Sequence, residues 1–127
     1  LNIHFNKVNT ELLCCLACLC PKDSFAAFNK KKLLRLAQLY PRDFSPVDLM
    51  ALDIQLDVYI MDMQSSVEFS GLNGISNLAQ KMVKTNKHKM FSLVNLSVTL
   101  SLLLPIATAT VEKVFSTINY VKNRQRN

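Results

Sequence analysis

Residues 90–111 contain no charged side chain, a run of 22 in a chain of 127. The next residue is Glu112, the only acid after Glu68. So long an apolar stretch must leave water, either in lipid or inside a protein core. A bilayer needs about 20 such residues. Pro105 interrupts the run after Leu104, and Ser92, Asn95, Ser97, Thr99, Ser101, Thr108 and Thr110 dilute it. The polar load and the proline favour a buried helix followed by a break over a span. A small helical membrane protein stands as the less favoured reading.

Half of the residues are hydrophobic and 19% are charged, which excludes a disordered polymer. Two glycines and four prolines leave little turn material for a β-sandwich. The expected fold is mainly α, with about five or six helices and little or no sheet. The chain opens on Leu1, as a piece of a longer protein would. Lys22 and Lys30–Lys32 follow the first apolar block without a small-residue cleavage pattern, so no secretory signal is read there.

The charge is segregated. Residues 1–42 carry seven bases and two acids, a net of +5. Residues 43–68 carry six acids and no base. Residues 69–127 carry eight bases and Glu112, a net of +7. Such blocks favour ion pairing within the chain or between copies. Lys81, Lys84, Lys87 and Lys89 could meet nucleic acid or the acidic helix, and the helix is the favoured partner.

Four cysteines crowd into Cys14–Cys20. Cys15 and Cys18 have the spacing of half a zinc site, but His4 and His88 supply no matching second pair. Among leucines, these thiols read as small buried hydrophobes.

Helix signals follow. Asn9-Thr10 precedes an apolar run that should end before Pro21. Phe25 and Phe28 anchor a loop over 21–29. Lys30–Leu39 is amphipathic through Leu33, Leu36, Ala37 and Tyr40. Ser45-Pro46-Val47-Asp48 is a strong helix start, with a capping hydroxyl, a first-turn proline and an acid at the positive end. Leu49, Leu52, Leu56, Tyr59, Ile60 and Met63 give that helix its apolar side. Asp48, Asp53, Asp57 and Asp62 flank or oppose it, and read as a wet surface. Gly71 and Gly74 mark a loop, and Ile75, Leu78, Ala79 and Met82 begin the next helix.

Leu93, Leu96, Leu100 and Leu103 repeat at 3-4-3, a seam for another helix. Val94, Val98 and Leu102 line a second side. One side could face the chain's own domain and the other a partner, or both could be buried. After Pro105, Thr108 or Thr110 caps a last helix with Val111, Val114, Phe115, Ile118 and Val121 on its apolar side. Glu112 falls in its first turn, where the helix dipole favours a carboxylate by about 0.3–1 kcal/mol.

The stretch LPIATATVEKVFS at 104–116 resembles the C-terminal region of hAT-superfamily transposases, where small residues lead into a Glu-Arg-x-Phe-Ser motif. Gly74-Ile75, Leu78–Val83, Lys87-His88, Phe91 and Leu93-Val94 are similar to the same region of plant hAT-derived proteins of the zinc-finger MYM and TTF types. Val8–Leu13, Tyr40–Ser45 and Asp62-Met63 extend the likeness over nearly the whole chain. The resemblance implies the end of a helical insertion over 1–42 and a dimerisation region over 43–127. It also implies the helical tail of an RNase-H-like nuclease, a nuclear location, and self-association or pairing with another hAT-derived chain. Leu93, Leu96, Leu100, Leu103, Val111, Phe115 and Ile118 are the expected dimerisation residues.

In the family the motif's glutamate is the third acid of a DDE triad that holds divalent metal, magnesium, for strand transfer. Glu112 matches it. The two aspartates belong upstream of this chain, so Asp43, Asp48 and Asp53 are not assigned to them. No cofactor, small-molecule substrate or membrane partner is expected for the chain alone, and DNA only as part of a longer protein. Lys113 stands where the family usually has Arg, Ser92 replaces a common Pro, and Gln125 an apolar residue. The expected function is a non-catalytic dimerisation module. The alternative is the fragment of an active transposase that contributes Glu112.

Overall fold

The structure is a computed structural model that describes residues 7–103, with side chains from residue 10 onward. Those residues form seven helices and one 3-10 turn, with no strand among them. The helices are α1 (Lys7–Ala17), α2 (Lys22–Phe25), α3 (Lys30–Gln38), α4 (Pro46–Ser65), α5 (Ile75–Lys84), α6 (Lys87–Met90) and α7 (Ser92–Leu103); the 3-10 turn is Val67–Phe69. The expected mainly α class, with little or no sheet, is what the described residues adopt. Two of the seven, α2 and α6, are single turns of four residues. The helix expected after Pro105 lies outside the described residues.

α4 begins where the sequence signals converge. Ser45 Oγ accepts from the Asp48 amide at 3.1 Å, and the Asp48 carboxylate accepts from the Ser45 amide at 3.0 Å. Two otherwise orphaned donors are satisfied reciprocally, behind a proline that has no amide to lose. At 20 residues α4 runs about 30 Å. It packs against α2 and α3, which precede it in the chain, and against α7, which follows it. α1 packs on α3, while α5, α6 and α7 pack on one another.

Tyr59 of α4 ties the two groups together. Its ring meets Phe25 edge-on at 6.1 Å, Phe28 at 6.4 Å and Phe91 edge-on at 5.4 Å. Phe25 and Phe28 are thus the anchors the sequence indicates, with Phe25 buried and Phe28 half-buried. The segment that carries them differs from a plain loop. Asp23, Ser24 and Phe25 all have left-handed backbone, φ 54°, 57° and 61°. For L-residues that conformation costs roughly 1–2 kcal/mol each. α4 opposes the cost by burying Phe25 and by donating from Gln64 Nε2 to the Ser24 carbonyl at 3.2 Å.

The cysteine cluster belongs to the core. Cys15, Cys18 and Cys20 are buried, Cys14 is half-buried, and none of the four is in a disulfide. α1 ends at Ala17, so Cys18 and Cys20 lie in a tightened turn whose amides reach back to Cys15 and Ala17. The Cys20 thiol donates to the Asn73 carbonyl at 3.6 Å. Burial, then the nearby Glu11, pushes the Cys15 thiol up, which keeps it protonated. No group of three or more metal-ligating side chains occurs among the described residues.

Segregated charge is paired within the chain. Lys30 of α3 bridges Asp53 and Asp57 on α4. Lys87 holds Asp62 at 2.5 Å and lies 5.6 Å over the Phe69 ring. Arg35 pairs with Glu11 across α3 and α1. Lys87 is the member of the basic cluster that meets the acidic helix, as the charge blocks lead one to expect. No helix of the described residues is long and apolar enough to cross a membrane.

Candidate association surface

α7 starts on a side chain from α4. Gln55 Oε1 accepts from the amides of Leu93 at 2.8 Å and Val94 at 3.0 Å, filling the role of an N-cap from another helix. The helix then buries Val94, Ser97, Val98 and Ser101. The two buried hydroxyls donate to their own helix, Ser97 to the Leu93 carbonyl at 3.2 Å and Ser101 to Val98 at 2.6 Å. Small polar residues can therefore face the core without an orphaned donor.

The predicted dimerisation residues divide into three groups. Leu93, Leu96 and Leu100 are half-buried and pack against the chain's own core. Leu103 is 70% exposed. Val111, Glu112, Phe115 and Ile118 lie outside the described residues. The 3-4-3 seam is therefore already partly covered, and α7 offers a partner little beyond its last turn.

A different row stands open. On α4, Leu52, Leu56, Tyr59 and Met63 are buried, at spacings of 4, 3 and 4. On the opposite side Val47, Met50, Ile54 and Met61 are 70–73% exposed and Val58 is 55% exposed. At 100° per residue these five fall within a sector of about 80°. They present on the order of 600 Å² of mostly apolar surface, at the upper end of what a typical monomer shows in one patch. The aspartates expected to flank or oppose the buried side flank this row, still partly exposed. Asp53 and Asp57 with Lys30 border one edge, and Asp62 with Lys87 the other.

The row is visible in the sequence as 47-50-54-58-61, the same helical period as the buried one. The Leu49–Met63 side already accounted for a buried helix, and the interleaved aspartates suggested solvent. Nothing in the periodicity alone says which of two apolar rows meets a neighbour.

No family model, curated protein or solved structure matches this chain.

Proposed function

We propose that this chain is a protein–protein association module, a self-associating helical domain with no catalysis of its own. One observation carries the reading: α4, the longest helix among the described residues, is apolar on two opposite sides, and its second row, Val47 to Met61, faces water. Exposed apolar rows of this size mark interaction surfaces in soluble domains. The resemblance of 104–116 to the hAT dimerisation region points the same way, and extends the proposal to a nuclear hAT-derived protein. Glu112 has a metal-binding part only in a longer chain that contributes two aspartates and magnesium. The 127 residues alone are expected to leave DNA uncut.

Sedimentation velocity over the micromolar range tests the reading. A concentration-dependent dimer is the expected result. A monomer of unchanged sedimentation coefficient throughout would remove it.

A further inference from the structure

We infer that the partner on the exposed row of α4 is α4 of a second copy, packed antiparallel about a two-fold axis at Ile54. This deepens the association reading and rests on it.

The register of the row motivates the geometry. The five positions, 47-50-54-58-61, are spaced 3-4-4-3, which reads the same in both directions. A two-fold contact requires each residue to meet its counterpart reciprocally. Centred on Ile54, an antiparallel pair places Val47 against Met61, Met50 against Val58, and Ile54 against itself. Each layer then joins one small and one large side chain, or two of middle size. The axes can therefore run at one separation along the contact, and side-chain size sets that separation. A parallel pair would stack Met50 on Met50 and Val58 on Val58, alternating wide and narrow layers. Antiparallel packing also sets the positive end of each α4 beside the negative end of its partner, and the last turn of α4 has no basic residue to neutralise it.

Charge and area favour a second copy over a basic partner helix. Asp48 is engaged in the capping box, Asp53 and Asp57 hold Lys30, and Asp62 holds Lys87. The acids beside the row are already occupied, so little remains to recruit cations. Two copies of the patch would bury on the order of 1,200 Å², the lower end for a specific complex. The dimer should be reversible.

Cysteine cross-linking of the full 127-residue chain tests the arrangement, with the parent chain oxidised in parallel to measure background from its own thiols. Ile54→Cys should give a covalent dimer under mild oxidation. Val47→Cys and Met61→Cys should each fail alone and cross-link when mixed. Alone, each pair of thiols is offset by about 21 Å along the helix, far beyond disulfide reach. Ile54→Glu with Val58→Glu should weaken the dimer roughly 100-fold or more, with unchanged helical circular dichroism because both side chains face solvent.

Three other outcomes each overturn the inference. A dimer that survives the double glutamate change, with no Ile54→Cys cross-link, leaves the association reading standing and removes α4 as its surface. Self-cross-linking of Val47→Cys alone makes the pair parallel. A parent chain that stays monomeric at all concentrations removes both readings. In that case a maleimide separates two causes: a shielded Ile54→Cys thiol means that another segment of the same chain covers the row, and a reactive one means that nothing does.

Discussion

α7 and α4 are both apolar around most of their circumference, yet they end in different environments. α7 buries Val94 and Val98 and leans Leu93, Leu96 and Leu100 on the same core. α4 buries Leu52, Leu56, Tyr59 and Met63 and leaves Val47, Met50, Ile54, Val58 and Met61 in water. The difference lies in neighbours. α7 is wedged among α4, α5 and α6. α4 receives α2, α3 and α7 on one side, and no described element covers the other. Apolar character shows that a face gains by leaving water; the surrounding elements decide whether it has done so.

The largest test of this contrast sets one row of α4 against the other. Leu56→Ala should cost about 2–5 kcal/mol, because it opens a cavity in a packed interior. Ile54→Ala, two residues away, should stay within about 0.5 kcal/mol. Urea denaturation below the self-association range measures both. A comparable loss from Ile54→Ala would mean that the outer row is covered within the monomer.

The next change tests the joint between the two helices. Gln55→Ala leaves the Leu93 and Val94 amides without their acceptor and should cost about 1–3 kcal/mol. Gln55→Glu retains an acceptor, and its charge suits a helix N-terminus, so most of the stability should return. If alanine and glutamate behave alike, Gln55 does not anchor α7 to α4.

A smaller effect is expected at the start of α4. Ser45→Ala removes one half of the capping box and should cost about 1 kcal/mol. Both rows belong to the same helix, so dimer dissociation should shift by less than the loss from the double glutamate change at 54 and 58. A large fall in dimer affinity from Ser45→Ala alone would show that association depends on the end of α4 and not on its outer row.

The smallest concerns Tyr59, whose buried hydroxyl has no hydrogen-bond partner among the described residues. Tyr59→Phe should be neutral or stabilising by up to about 1 kcal/mol, since it removes a desolvated polar group and keeps the ring contacts. Burial also pushes the Tyr59 phenol up. The unfolded chain releases this proton near the ordinary value of about 10, while the folded chain keeps it. The tyrosine's contribution is therefore intact below that pH and falls as pH rises above it. Tyr59→Phe should flatten part of the alkaline loss in denaturant melts. Tyr40 and Cys15, whose burial raises them as well, and Lys30, raised by its hydrogen bonds to Asp53 and Asp57, add to that loss. An unchanged alkaline profile would place Tyr59 in water.

Much of the fold is legible because its causes are local. Ser45, Pro46 and Asp48 announce α4 through bonds that span three residues. The buried row from Leu52 to Met63 follows from helical period, as do Leu33, Leu36 and Ala37 on α3. The turn at Asp23–Phe25 is not legible. No glycine marks its left-handed backbone, and its support comes from Tyr59 and Gln64 some 40 residues on. Gln55 as the cap of α7 escapes for the same reason, because donor and acceptor lie on different helices. Of the candidate site, Leu93 to Leu103 is placed and mostly covered, while Glu112, Val111, Phe115 and Ile118 lie outside the described residues.

Sequence by itself determined that this chain is helical, where α4 begins, and that its cysteines belong among apolar side chains. Propensity, capping and periodicity act over a few residues and can be read along a line. Tertiary structure decided which aspartate meets which lysine, and which of α4's two apolar rows is enclosed. Those outcomes depend on how many neighbours crowd each side of a helix, a property of three-dimensional packing that identical periodicities leave open.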